Sequence, residues 1–199
     1  MLHLPDVTLL GVDNVNYERL AIAATKCFTR VKFGDVRIYS SIQGKSLYEP
    51  PAIVKSRRDY STLMVRHLHE MFDTKFVLVI QWDGYILNPK AWDEIFLRYD
   101  YIGARWDNRS KHSGCVGNGG FSLRSKKFCR AAAKVIPPGQ EHCEDIKCCI
   151  KYRSKMESEG VRFAPPAVAD MFSKEMGIWN GEFGFHHSKT DISRAKHYA

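Results

Sequence analysis

What this 199-residue chain lacks narrows its class before any motif is considered. No apolar run approaches the roughly 18 residues that a membrane-spanning helix requires. Met1-Leu-His-Leu-Pro-Asp6 has no basic stretch leading into an apolar core, so no secretory signal is read there and a cytoplasmic setting is expected. Cys27, Cys115, Cys129, Cys143, Cys148 and Cys149 include no C-x-x-C pair, and His142 beside Cys143 fits no usual zinc spacing. Free thiols are the expectation. Gly117-Asn118-Gly119-Gly120 has no Gly-Lys-Ser/Thr after it and lacks the dinucleotide spacing, which excludes a P-loop and a Rossmann fingerprint. Internal repeats, low-complexity tracts and an inter-domain linker are also missing. A single domain over 1–199 is therefore expected.

The bulk of what is present is ordinary for a globular chain, at 44% hydrophobic and 26% charged residues. The charge balance is less so. A net charge of +8 favours a polyanionic partner: nucleic acid, an anionic membrane surface or a phosphorylated substrate. Mild basicity without any specific partner is the bland alternative.

The organising stretch is Phe76-Val-Leu-Val-Ile-Gln-Trp-Asp-Gly-Tyr-Ile-Leu-Asn88-Pro89. Phe76 to Ile80 is unbroken apolar and rich in β-branched residues, as in a strand buried on both faces. It ends at Gln81-Trp82-Asp83-Gly84, which places an amide and a carboxylate at the carboxyl end of a buried strand. Ligands of open α/β sheets bind there. Asp83 is either the mark of an active centre or, with Gly84, only a turn.

Around it the pattern alternates between strand and helix. Val7 to Val12 and Val36 to Tyr39 read as strands, separated by a helix from Tyr17 to Phe28 that Asn16 caps and that buries Leu20, Ala24, Cys27 and Phe28. After a loop from Gln43 to Ile53, a helix capped by Asp59 or Ser61 carries Met64, Leu68, Met71 and Phe72. The basic Lys55, Arg57 and Arg58 precede it, fit for a diphosphate or for plain solvation. Asn88-Pro89 opens a helix through Tyr99. Tyr101 to Ala104 and Phe121 to Leu123 are short strands, and Arg105 to Gly114 is a polar loop. Ser125 caps a helix that buries Phe128, Ala132, Val135 and Ile136. A further helix runs from Glu141 to Gly160, and Val161 to Ala164 is a last strand. Glu144 and Asp145 in that helix's first turn suit the helix dipole or a site. His186-His187 are ligands or part of a solvated end, and Lys189 to Ala199 reads as a frayed basic tail.

Taken in order, Val7 to Asp13, Ile53 to Ser61, Val77 to Pro89, Val116 to Ser125, Glu144-Asp145 and Gly184-Phe185-His186 resemble a GT-A glycosyltransferase. The likeness is to small bacterial, fungal and viral families with a degenerate Asp-x-Asp motif, and it covers roughly Pro5 to His187. It implies an α/β fold: a single Rossmann-like domain with a mixed, mainly parallel sheet flanked by helices. Residues 1–80 would form the nucleotide-binding half, 81–187 the metal and acceptor half, and 188–199 a basic tail.

The resemblance also implies site roles. Gln81-Trp82-Asp83 matches the motif that holds a divalent cation, manganese or magnesium, on the donor diphosphate. Gln81 stands in place of the first acid and removes one negative charge. Asp83 and His186 are the implied metal ligands, with His187 in reserve. Asp13, Asn14, Arg57, Arg58, Gln81, Trp82 and Gly84 are the implied nucleotide-sugar residues. Trp106, Asn118, Gly119 and Gly120 face the sugar or acceptor. Glu144 and Asp145 are the catalytic acids, Asp145 being the general base that an acceptor hydroxyl needs.

The donor expected is a nucleotide-sugar, a UDP-sugar first, in a bacterial or virus-infected cell. Two acceptors compete: hydroxymethylated pyrimidine in double-stranded DNA, or a cell-surface or lipid-linked glycan. Trp82, Tyr85 or Trp106 would stack on an extruded base. A non-catalytic nucleic-acid-binding module on a decayed transferase fold, and a metal-dependent phosphodiesterase, are the readings from other classes.

Overall fold

The protein, a computed structural model, is described over residues 1–42, 48, 50–106 and 115–198. Most of the expected polar loop, 107–114 with Lys111, lies outside the described residues. The frame is a five-stranded sheet in the order β2-β1-β3-β5-β4. Its strands are β1 (Leu2–Val12), β2 (Val31–Tyr39), β3 (Phe76–Ile80), β4 (Tyr101–Ile102) and β5 (Ser122–Ser125). β1 runs parallel to β2 and β3, whereas β5 is antiparallel to β3 and β4.

Alternation along these strands divides the core between two faces. Leu10, Val12, Val77 and Val79 pack with Leu63, Met64, Phe128, Cys149 and Met156. These come from α2 (Arg57–Arg66), α3 (Lys126–Val135), α5 (Arg153–Ser158) and a π turn (Lys147–Lys151). Leu9, Leu78 and Ile80 pack on the other face with Leu20, Ala24 and Phe172. α1 (Tyr17–Phe28) and α6 (Pro166–Phe172) supply that layer. β3 is thus buried on both faces, as its unbroken apolar run predicts.

Several elements differ from the sequence pattern for identifiable reasons. β1 and β2 start at Leu2 and Val31, earlier than expected, because the ladder absorbs Pro5 in a register shift between Leu4 and Thr8. Gly34 makes this possible: a Cβ there would lie 2.1 Å from the Pro5 carbonyl oxygen. Asn16 does not cap α1 through its side chain; Asp13 accepts from the Val15 and Asn16 N–H groups instead. Phe28, expected inside, is 44% exposed. α2 begins before Asp59, capped by Ser56, whose Oγ accepts from Asp59 N while Asp59 accepts from the Ser56 hydroxyl in return.

The helix expected from Pro89 to Tyr99 is two 3-10 turns, because Asp93 accepts from Ile95 N and starts the chain anew. The helix expected from Glu141 to Gly160 is interrupted as well. It runs as α4 (Glu144–Ile146), the π turn and α5, and ends at Gly160 with φ of +80°. Val161 to Ala164 forms only a bridge, Phe163 to Tyr101. The frayed tail does not hold either. β6 (Ser173–Ile178) and β7 (Gly184–Asp191) form a separate parallel pair, followed by a 3-10 turn over Ser193–Tyr198.

Candidate active site

The register of β5 on β3 sets the site. Val79 faces Ser122 across an antiparallel pair, so residues 118–121 run on beside the carboxyl end of β3. There the chain turns tightly, with Gln81 and Gly84 exchanging both backbone hydrogen bonds. β7 is then stitched to the outgoing strand. Leu87 N and Asn88 N donate to Phe183 O, and His187 N donates to Asp83 O at 2.9 Å. Ser188 N donates to Asp83 Oδ2. These bonds carry His186 across more than a hundred residues of chain to Asp83.

His186 Nε2 lies 3.1 Å from Gln81 Oε1 and 3.8 Å from Asp83 Oδ1. The Gln81 amide is turned this way because its nitrogen donates to Tyr60 Oη. Burial pulls the His186 pKa down to about 4, against the opposing pull of Asp83. The imidazole is therefore neutral at pH 7, the form that binds metals. Its Nδ1 is 4.0 Å from Glu175 Oε1.

On the other side of the glycines stand the acids. Gly119 N donates to Asp145 Oδ2 at 3.3 Å, and Ile146 N donates to Asp145 Oδ1 at 2.8 Å. Glu144 is 7% exposed and turns inward to Arg124, whose Nη2 lies 3.4 Å from its Oε1. Burial and the neighbouring Asp145 push the Glu144 pKa up to about 7, outweighing Arg124. The glycines are demanded by these side chains. A Cβ would lie 2.2 Å from Glu144 Oε1 at position 119, 2.0 Å from His186 Nε2 at 120, and 2.8 Å from His186 Cδ2 at 84. The missing side chains thus admit protein groups at 84, 119 and 120. Asn118 before them has φ of +66°, with its Oδ1 accepting from Gly120 N.

Residues 44–187 match the family described as "Protein of unknown function (DUF5672)". The chain belongs to this family. The matched span contains every residue of the converging group, from Tyr60 to His186, and leaves out β1 and α1. No curated protein matches the chain in sequence. Among solved structures it is similar to "a glycosyltransferase involved in the glycosylation of the major capsid of PBCV-1", at 12% identity and a TM-score of 0.53, over 96% of this chain and 98% of that one. It is also similar to A197 from STIV, at 12% identity and a TM-score of 0.44, over 83% of each chain. The fold is a GT-A-like glycosyltransferase fold: a mixed central sheet flanked by helices.

The fold implies a divalent cation at this donor set. Among the described residues, no three His, Cys, Asp or Glu side chains form a metal cluster. An amide stands beside the pair instead: His186 Nε2 has both Gln81 Oε1 and Asp83 Oδ1 within 4 Å. Two ligands at right angles on a cation with bonds of about 2.1 Å lie about 3 Å apart, close to the observed Gln81–His186 separation. One carboxylate, one amide oxygen and a neutral imidazole fit such a cation, with lower charge than two acids would supply.

Trp82 borders the turn with the Arg19 guanidinium 3.6 Å above its ring. Asn14 ties the ends of β1 and β2 together, accepting from Ser40 Oγ and Ser41 N and donating to Val54 O. Asp13 is spent on its turn. Arg57 and Arg58 are exposed in the first turn of α2, with no hydrogen bond or ion pair among the described residues. Trp106 does not offer an open stacking face: it is buried in the core against Gly117, where a Cβ would lie 1.9 Å from its ring. Tyr60, Arg124 and Glu175 belong to the site and are not picked out by the sequence pattern. A lone arginine in the short run Phe121-Ser-Leu-Arg-Ser125 was the one available signal.

Proposed function

We propose that the protein transfers a sugar from a nucleotide-sugar, a UDP-sugar first, to an acceptor hydroxyl, with inversion at the anomeric carbon. One observation carries this reading: His186 lies beside Asp83 and Gln81 at Gly120, while the adjoining Gly119 N–H holds the Asp145 carboxylate. Likeness of fold to a glycosyltransferase supports the class.

In this reading Asp145 is the general base. Two N–H donors fix its carboxylate and leave a lone pair on each oxygen to take the acceptor proton. Glu144, turned inward, supports the loop and does not meet the acceptor. Asp83, Gln81 and His186 would hold manganese or magnesium. When bound, the cation supplies Lewis-acid stabilisation of the leaving diphosphate. Arg57 and Arg58, exposed in the first turn of α2, add positive charge for the same phosphates. Asp13 and Asn14 mark the nucleoside end, and Trp82 and Gly84 line the turn beneath the donor.

For the acceptor we favour hydroxymethylated pyrimidine in double-stranded DNA, on the net charge of +8. The solved neighbour's part in capsid glycosylation favours a second reading, a protein-linked or cell-surface glycan. A panel of UDP- and GDP-sugars, with and without manganese, tests the class. One donor should release its nucleoside diphosphate. No binding and no release across the whole panel would sink the proposal.

A further inference from the structure

We propose that Arg124 is a positioning residue for Asp145: it clamps the carbonyl of Gly119, and with that end of the residue held, the N–H at its other end, in the preceding peptide unit, is kept on the Asp145 carboxylate. What Asp145 does rests on the transferase reading; the clamp itself does not.

Arg124 is 1% exposed and sits in β5, with Val77 and Tyr101 as its neighbours on the two flanking strands. Among the described residues its guanidinium has three hydrogen-bond partners. Nε donates to Ser122 Oγ at 3.0 Å, and Nη2 donates to Gly119 O at 3.1 Å and to Glu144 Oε1 at 3.4 Å. The Ser122 hydroxyl donates to the same Gly119 oxygen at 3.1 Å. Both lone pairs of that carbonyl are therefore occupied. The other end of the residue, Gly119 N, donates to Asp145 Oδ2.

Besides this clamp, the loop is tied by Gly120 N donating to Asn118 Oδ1 and by Gly117 N donating to Ala104 O. It follows Asn118 in the left-handed region, and its two glycines have no side chains to pack and the most conformational freedom to lose. Glu144 fills the space beside Gly119 and lies against the buried guanidinium. The chain thus runs from Glu144 through Arg124 and Gly119 to Asp145, and its last link is an orienting hydrogen bond. Removing Arg124 alone leaves Glu144 buried without its partner, which destabilises the fold whether or not Arg124 positions Asp145, so stability does not separate the two roles.

The Gly119 amide resonance in the full-length protein decides the matter. Asp145→Asn identifies the shift caused by losing the carboxylate. Arg124→Met should move the Gly119 amide in the same direction, and Arg124→Lys should restore part of the shift. Should Arg124→Met fail to fold, Ser122→Ala removes one arm of the clamp and should move the same amide. On a donor that the parent turns over, Arg124→Met should lower kcat by about 10- to 100-fold, with donor KM within about threefold. A Gly119 amide unmoved in every folded variant overturns the clamp. If the parent turns over no donor, the transferase reading fails and the amide shift still decides the clamp.

Discussion

Glu144 and Asp145 are adjacent in sequence and opposite in setting, and the difference gives a pH signature. Folding raises the Glu144 pKa from its ordinary 4.5 to about 7, because burial disfavours its charge. The folded state then holds this proton more tightly than the unfolded state. The stabilisation is complete below about 4.5 and is lost as pH rises through about 7. Glu144→Gln keeps the shape and removes the titration. Relative to the parent, its stability should improve between pH 4 and pH 8 by about 1–3 kcal/mol. Thermal unfolding of both proteins across that range is the check, and a constant difference between them contradicts the assignment. The sequence shows two acids in a helix's first turn, which the helix dipole alone explains. Only the close approach of Gly119 and Arg124 separates an inward Glu144 from an Asp145 held by two N–H groups.

Legibility varied among the elements with how much of their pattern was local. β3 and α3 could be read because burial on both faces and a Ser cap are written in neighbouring residues. The broken helix over 144–158 could not, because the widened turn at 147–151 preserves an apolar rhythm close to that of a regular helix. β7 was illegible for another reason. Gly184-Phe-His-His-Ser-Lys-Thr-Asp191 lacks strand alternation, and its place is set by distant backbone partners at Asp83, Tyr85 and Ile86. The anchor of that arrangement is Phe183, fully buried among Trp92, Phe96, Phe121 and Phe172. Phe183→Ala should cost about 3–5 kcal/mol in chemical denaturation, as for other large core truncations. It should also weaken manganese binding to the folded fraction, because His186 follows three residues later. Full manganese affinity in a destabilised Phe183→Ala protein would show that β7 does not place the ligand.

At the scale of the whole molecule, the parallel β2-β1-β3 unit meets an antiparallel β5, and that reversal brings the glycine loop to the end of β3. The fold class was legible from the strand–helix–strand opening. The β6-β7 pair was not, because its pairing partners leave no periodic trace. No helix among the described residues is long and apolar enough to cross a membrane, so that feature does not choose between the two acceptors. The charge of +8 does make a prediction. Affinity for duplex DNA should fall steeply and linearly on a log–log plot against salt, with each released phosphate counterion adding about 0.9 to the slope. Weak, salt-insensitive DNA binding would move the acceptor to a glycan. The central claim is that Asp145 activates an acceptor beside a donor held at Asp83. It is tested most directly by nucleoside diphosphate release from the donor panel, for the parent and Asp145→Asn together, with donor affinity measured on both. The expected result is turnover by the parent, at least about a 100-fold loss in Asp145→Asn, and unchanged donor affinity. Equal turnover by the two proteins contradicts it.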